Sequence, residues 1–205
     1  MLDSTGLLAS MREKEALLEG HFELSSGLHS DRYFQCALFL QHPEEAAQAA
    51  ETLARLAKGR AVEVVVGPAM GAVTFAYEVG RACGTRALFT ERKDGMMTLR
   101  RGFRIEPGER VLVVEDVLTT GGSAREVIRV LEGLGGKVVA AACLVNRSGG
   151  NPFEDMDIPL IALADVEARV WNPADCPLCI AGDPVTKPGS RPGQASASTA
   201  DGAQG

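Results

Sequence analysis

The chain has 205 residues, 45% of them hydrophobic and 23% charged, and a formal net charge of −6. This length suits one α/β domain with a small appendage, and the composition is that of an ordinary globular protein. The negative charge argues against DNA or RNA as a partner, because nucleic-acid binding needs Lys and Arg clustered over an extended face.

The N-terminal segment predicts an amphipathic helix, because Asp3, Arg12, Glu13 and Lys14 interrupt its apolar residues. A signal peptide would carry an uninterrupted apolar stretch instead. The longest apolar runs of the chain, such as residues 138–145, are far too short to cross a bilayer. We therefore expect a cytoplasmic protein without a membrane segment.

The remaining elements change in character along the chain. Residues 21–24 and 33–36 predict a small hairpin, and Pro43 followed by two acids marks the start of a helix that ends near residue 58. From residue 62 onward, apolar strands alternate with helices, which is typical of a parallel sheet covered on both faces. Strands are predicted at 62–66, 86–90, 110–115, 138–146 and 159–164, helices at 72–83 and 123–134, and a polar segment at 91–104.

These elements predict an α/β chain in three parts. Residues 1–42 hold the N-terminal helix and hairpin, and residues 43–181 form the core. Residues 182–205 carry Gly, Pro, Ser and Ala with almost no large apolar side chain. Such a segment cannot offset the entropy of its own ordering, so we expect a disordered tail.

The most informative segment is VLVVEDVLTTGGSAREVI, in which a buried strand passes through a turn into a helix. The glycines let backbone N–H groups approach a ligand closely, the hydroxyls can donate hydrogen bonds, and a helix N-terminus favours negative charge. A phosphate would fit this turn. The nucleotide P-loop lysine and the dinucleotide GxGxxG pattern are both missing, which excludes those two folds. The turn residues are Val117, Leu118, Thr119, Thr120, Gly121, Gly122 and Ser123.

Two adjacent acids, Glu115 and Asp116, precede this turn and narrow the ligand class. Two carboxylates would repel a bare phosphate, yet they can accept hydrogen bonds from a vicinal diol or help to hold hydrated Mg²⁺. A ribose phosphate satisfies all of these features. The alternative is an acidic pair that merely begins a loop at a strand end.

The five cysteines do not predict a disulfide framework. Cys36, Cys83 and Cys143 lie in apolar stretches, where a reduced thiol behaves as a small hydrophobe. Cys176 and Cys179 have the spacing of a metal or redox motif, but zinc needs three or four ligands and the chain has no second cysteine pair. We favour a structural role for this CxxC and keep metal binding as the alternative.

The segment with the two acids and the Thr-Thr-Gly-Gly-Ser turn resembles the phosphoribosyl-diphosphate signature of the type I phosphoribosyltransferases. The segments GPAMGA and ERKDGMMTLRRGF extend the resemblance to orotate phosphoribosyltransferases. It implies a Rossmann-like α/β core with a parallel sheet under a small N-terminal hood. It also implies Mg²⁺ held mainly by the substrate, with no firm protein ligand, and a donor-binding set of Ala69, Met70, Gly71, Arg92, Lys93, Glu115, Asp116 and the turn residues 117–123.

The polar segment 91–104 contains five Lys or Arg residues against two acids, together with two glycines. A solvated charged hairpin is one interpretation. In orotate phosphoribosyltransferases the corresponding mobile loop carries a lysine that matches Lys93 and usually serves the neighbouring subunit. The resemblance therefore implies catalytic roles for Lys93 and Asp116 and a homodimer, with a lid that excludes water and stabilises departing diphosphate.

The acceptor end of the site is suggested by Arg147, which follows a core strand at its carboxyl end, where open α/β sheets bind ligands. A guanidinium pairs well with a carboxylate, and orotate differs from uracil by a carboxylate. Arg147 matches the family's orotate-binding arginine, and Phe34 and Thr119 complete the implied orotate site. A solvated strand-end arginine is the alternative, and Tyr33 is a second candidate for stacking on the base.

Two positions depart from the family pattern. Many bacterial members have Lys-Ser-Gly in the hood where this chain has Ser25-Ser26-Gly27, and many have a histidine in the mobile loop. The resemblance implies an orotate phosphoribosyltransferase of pyrimidine biosynthesis. Its rivals are a transferase for a purine or another base, and a non-catalytic regulator that senses phosphoribosyl diphosphate.

Overall fold

The computed structural model describes residues 2–24 and 26–188, and their contacts divide the chain into two compact units. The larger unit combines the chain up to Leu18 with Phe34–Ala168, and the smaller unit combines Glu19–Tyr33 with the chain from Arg169 onward. The division expected at residue 42 does not match these contacts. The first helix joins the larger unit through Leu7 and Met11, which are fully buried in its core.

The bounds of the elements follow the alternation of strands and helices predicted after residue 62. The helices are α1 (Ser4–Glu13), α2 (Cys36–Leu40), α3 (Pro43–Leu56), α4 (Val73–Cys83), α5 (Gly122–Gly133) and α6 (Pro177–Ile180). The strands are β1 (Leu17–Glu23), β2 (His29–Phe34), β3 (Val64–Pro68), β4 (Arg86–Lys93), β5 (Met96–Leu99), β6 (Arg110–Leu118), β7 (Lys137–Asn146), β8 (Leu160–Asp165) and β9 (Val170–Trp171). Within the described residues, every helix falls short of the length and apolar character that a bilayer crossing requires.

The larger unit is built on a six-stranded sheet with the strand order β5-β4-β3-β6-β7-β8. All neighbouring pairs are parallel except β4 and β5, which are antiparallel. The predicted α/β class with a mostly parallel sheet is therefore confirmed. Because the carboxyl ends of β3, β6 and β7 lie at one edge of the sheet, the loops that follow them lie near one another.

The core occupies both faces of this sheet, as expected for strands whose side chains alternate in direction. Val65 and Val114 pack on one face with α1, α3 and α4. Val64 and Val113 pack on the other face with α5. This double coverage explains why the central strands are continuous apolar runs in the sequence.

Within the polar segment 91–104, the end of β4 and strand β5 form an antiparallel hairpin, and a role of this hairpin as a lid stays a prediction. Lys93 pairs with Met96 across a turn formed by Asp94 and Gly95. Both turn residues have positive φ, at 52° and 81°, a combination that the sequence Asp-Gly favours. Met97 is buried, which anchors the hairpin to the core.

The smaller unit contains most of a three-stranded sheet with the order β1-β2-β9. The chain after α6 continues along this unit, where Thr186 forms a parallel bridge with Phe22. Its backbone also exchanges hydrogen bonds with His21 and Glu23, at 2.8 and 2.9 Å. Residues 182–188 thus differ from the predicted disordered tail because edge pairing holds them. The rest of that predicted tail, residues 189–205, lies outside the described residues.

Candidate active site

The turn between β6 and α5 forms a cavity of about 290 Å³. Residues 117–123 line it together with Glu115, Arg92 and Glu126. Gly121 caps α5 with a φ of 74°, and its backbone C=O accepts the N–H of Arg125 at 2.9 Å. A side chain on Gly121 would also come within 3.0 Å of Pro152. The geometry thus requires glycine here and leaves the helix N-terminus facing the cavity.

The two acids lie on β6, which runs to Leu118 and so extends past its predicted end at residue 115. Glu115 is buried on the α5 side and lines the cavity. Burial, and then the neighbouring Asp116 charge, raise the pKa of Glu115 from 4.5 to about 8. Burial also raises the pKa of Asp116, although its Oδ1 accepts the Val117 N–H at 2.9 Å. Both carboxyl groups are therefore costly to ionise in this site.

Asp116 lies against the turn between β3 and α4, the segment predicted to contact diphosphate. A Cβ atom on Gly71 would lie 2.9 Å from the Oδ2 atom of Asp116. In the same turn the Ala69 N–H donates to the Thr90 carbonyl at 2.7 Å, the Ala69–Met70 peptide bond is cis, and Met70 is 84% exposed. The structure thus brings the second predicted donor segment next to the acidic pair.

The two basic residues of the predicted lid are placed differently. Arg92 lines the cavity and donates to Glu126 on α5 at 2.8 Å and to the Gly95 carbonyl at 2.7 Å. Lys93, at the end of β4, is exposed and does not line the cavity. The sequence interpretation missed Glu126, although its place one turn into a helix that begins at the phosphate turn could have indicated it.

Two of the predicted acceptor residues, Arg147 and Phe34, come together in the larger unit. Arg147 follows β7, and its backbone N–H donates to the Leu118 carbonyl at 2.7 Å, beside the phosphate turn. Its guanidinium carbon lies 5.3 Å from the centroid of the buried Phe34 ring. Thr119, the third predicted acceptor residue, is exposed next to Leu118.

A polar network that the sequence interpretation missed fixes the loop carrying Arg147. The buried Asn146 side chain donates to Asp165 at 2.7 Å and to the Gly150 carbonyl at 2.9 Å. Its Oδ1 atom accepts the Ser148 N–H at 3.0 Å and the Ser148 hydroxyl at 2.6 Å. These bonds hold the backbone on both sides of Arg147, which limits how far the guanidinium can move.

Comparisons with known proteins agree with this geometry. Residues 38–174 match the family described as phosphoribosyl transferase domain. The orotate phosphoribosyltransferase of Heliobacterium modesticaldum is 54% identical over 187 residues, which cover 90% of this chain and 97% of that protein. That of Carboxydothermus hydrogenoformans is 52% identical over 181 residues, 87% and 94% of the two chains. The crystal structure of orotate phosphoribosyltransferase from Aeropyrum pernix is 26% identical and has a TM-score of 0.68, with 78% of this chain and 94% of that chain covered.

Proposed function

Because this chain belongs to the phosphoribosyltransferase family, we propose that it transfers ribose 5-phosphate from phosphoribosyl diphosphate to orotate. The products are orotidine 5′-monophosphate and diphosphate, and the reaction is a step in pyrimidine biosynthesis. The relatives that are about half identical over nearly the whole chain carry the name of this activity. The cytoplasmic location expected from the sequence stays a prediction.

The choice of orotate depends on one observation, the position of the Arg147 guanidinium over the Phe34 ring. A guanidinium that lies over an aromatic ring is held there by cation–π attraction, and its planar fork of N–H groups matches the geometry of a carboxylate. Orotate offers that carboxylate, whereas uracil and the purine bases do not. The Phe34 ring attracts the guanidinium, and the network of Asn146 holds the backbone beneath it. Both contacts support a carboxylate site that is organised before orotate binds.

The donor contacts follow the cavity at the start of α5. The N–H groups and hydroxyls of residues 119–123 bind the 5-phosphate at the helix N-terminus. Glu115 and Asp116 accept hydrogen bonds from the ribose hydroxyls. The backbone of Met70 and Gly71 contacts the diphosphate, since the Ala69 N–H is already bonded to Thr90.

The metal-ligand atoms that this site offers fit a Mg²⁺ ion held mainly by the substrate. Glu115 and Asp116 supply carboxylate oxygens, which suit this ion, but their raised pKa values make them weak direct ligands in the absence of substrate. Diphosphate and ribose oxygens would complete the shell with water. The bound ion would neutralise the diphosphate and favour its departure.

We assign to the Lys93 ammonium group the role of stabilising the departing diphosphate. The residue is exposed at the tip of the β4–β5 hairpin and does not line the cavity of its own chain. This placement supports delivery of Lys93 to the site of a neighbouring subunit in a homodimer. Closure of the hairpin over that site would exclude water from a donor that hydrolyses readily.

A transfer assay with separate bases tests this function. The purified chain is incubated with phosphoribosyl diphosphate, Mg²⁺ and either orotate, uracil, adenine, guanine or hypoxanthine, and diphosphate release is followed. We expect rapid release of diphosphate with orotate and with none of the other four bases. Release with a purine would identify the purine-type rival, and donor binding without turnover on any base would identify a regulator.

A further inference from the structure

Four side chains in the smaller unit form a cluster that the transfer reaction does not use. The ligand atoms of His21 on β1, His29 on β2, Cys176 just before α6 and Cys179 within α6 lie within 4.8 Å of one another. The first three side chains are buried and Cys179 is exposed. Two imidazoles and two thiols form a ligand set that tetrahedral zinc prefers in structural sites.

Three separations between nitrogen and sulfur atoms of the cluster fit such a centre. Zinc bonds of about 2.05 Å to nitrogen and about 2.3 Å to sulfur place tetrahedral N and S ligands about 3.5 Å apart. Nε2 of His21 lies 3.5 Å from Sγ of Cys176 and 3.6 Å from Sγ of Cys179. Nδ1 of His29 lies 3.3 Å from Sγ of Cys179. The two imidazole nitrogens are 2.8 Å apart, so they would separate by about 0.5 Å around zinc.

The tautomer of His21 is set for metal binding by its second nitrogen. Nδ1 of His21 lies 2.8 Å from the carbonyl oxygen of Asp183, which can only accept a hydrogen bond. Nδ1 therefore carries the proton, and Nε2 presents its lone pair to the cluster. A histidine ligand held through its other nitrogen by a backbone carbonyl is the usual arrangement in protein zinc sites.

Strand pairing joins the two chain segments of the smaller unit, but its apolar core is small. Among its described residues, the buried apolar side chains are Phe22 and Cys176, and neither belongs to the two hydrophobic clusters of the protein. Units with so small a core usually need a disulfide or a metal. Zinc with two thiolates and two neutral imidazoles has no net charge, so its burial costs little.

We propose that His21, His29, Cys176 and Cys179 bind one structural zinc ion that joins the N-terminal hairpin to the C-terminal segment. The sequence interpretation favoured a role without metal because it looked for a second cysteine pair. The structure supplies the missing ligands as two histidines on neighbouring strands. The proposal does not depend on the transfer reaction, since none of the four residues lines the donor cavity.

Metal analysis of the full-length chain tests the proposal. Protein purified under reducing conditions should retain one zinc ion per chain after dialysis. Replacement by cobalt(II) should give the strong visible bands of tetrahedral geometry and a thiolate-to-metal charge-transfer band. Cys179→Ser, at an exposed position, should lower zinc affinity by about 100-fold or more. Cys83→Ser is the matched control, because Cys83 is a free cysteine at the end of α4 and outside the cluster.

Hydrogen exchange provides a second measurement that does not rely on a variant. Removal of the metal by a chelator should speed exchange at the amides of Thr186 and Glu23, whose hydrogen bonds join the two segments. Amides in the central strands of the larger unit should be unaffected. A folded, reduced chain that gives no tetrahedral cobalt spectrum would overturn the proposal in favour of a hydrogen-bonded cluster. A disulfide between Cys176 and Cys179 in the freshly purified protein would overturn it in favour of a redox pair.

Discussion

Gly71 and Asp116 approach so closely that the first residue has no room for a side chain. A Cβ at position 71 would lie 2.9 Å from Oδ2 and 3.1 Å from Oδ1 of Asp116. The backbone of the turn after β3 therefore packs directly against the Asp116 carboxylate near the end of β6. This contact ties the proposed diphosphate turn to the carboxylate proposed to bind the ribose.

We predict that Gly71→Ala lowers kcat/KM by roughly 10- to 100-fold, because the added methyl group displaces Asp116 from the ribose hydroxyls. Steady-state kinetics with orotate and donor measure the effect, and circular dichroism checks the fold. Gly133→Ala is the matched control, since nothing lies within 4 Å of a Cβ there and alanine favours the α5 helix. Equal activity of the two variants would show that the close contact of Gly71 with Asp116 does not matter for catalysis.

Glu115 should make the stability of the protein depend on pH. The folded state holds its proton up to about pH 8, whereas the unfolded carboxyl loses it near 4.5. The folded state therefore binds more protons between these values, and the free energy of unfolding falls as pH rises through that window. Glu115→Gln removes this ionisation, so the variant should be more stable than the native protein at pH 9 by a few kcal/mol, at ~1.4 kcal/mol per pKa unit.

Denaturant unfolding at pH 5 and at pH 9 measures the difference. The free energies of the native chain and the variant should diverge as the pH rises, while turnover of the variant falls because a ribose contact is lost. Glu132→Gln, at an exposed position on α5, is the control and should follow the native protein. Parallel curves for Glu115→Gln and the native chain would show that Glu115 ionises normally.

Local sequence patterns predicted the parts of this site that lie within one continuous segment. The acidic pair, the phosphate turn and the start of α5 are contiguous, so composition and spacing sufficed to find them. The hairpin formed by β4 and β5 was less clear, because β5 has only four residues and the turn depends on the positive φ values of Asp94 and Gly95.

Contacts between distant segments could not be predicted in the same way. The pairing of Arg92 with Glu126 depends on how far the β4–β5 hairpin reaches over α5. The cluster of His21 and His29 with Cys176 and Cys179 joins residues from opposite ends of the chain. Periodicity carries no information about such a meeting, since only the tertiary fold brings the segments together.

Lys93→Ala should lower turnover by roughly 100- to 1,000-fold, the scale for loss of one group that stabilises transition-state charge. Lys137→Ala, at an exposed position at the start of β7, should retain native activity. Both variants should keep the native thermal stability, because the Lys93 side chain is exposed. Unchanged turnover in Lys93→Ala would remove the residue from the mechanism.

Mixing Lys93→Ala with Asp116→Asn, each of which should have little activity alone, tests whether Lys93 acts in the neighbouring subunit. A heterodimer of Lys93→Ala and Asp116→Asn contains one site with both native residues only if Lys93 crosses between subunits. Random exchange should then restore about a quarter of native activity, because half of the dimers have one working site of two. No recovery after exchange confirmed by mass spectrometry would mean that Lys93 serves its own chain.

Arg147 should determine the choice of base. A site built around a charged hydrogen-bonding group rejects a ligand without the partner, because the guanidinium then loses water and gains nothing. The native protein should thus prefer orotate to uracil by about 10⁴-fold in kcat/KM. Arg147→Ala should abolish most of this preference and leave donor binding nearly unchanged, since the donor contacts lie on other loops.

Two further variants sharpen the test of Arg147. Arg147→Lys keeps the charge but loses the planar group that lies over Phe34, so it should recover only a small part of the orotate preference. Arg129→Ala removes an exposed arginine from α5 and should behave as the native protein. Comparison of kcat/KM for both bases, with the donor affinity of each variant measured by calorimetry, separates acceptor choice from donor binding. An orotate preference that survived in Arg147→Ala would place the carboxylate site elsewhere and favour a transferase for another base.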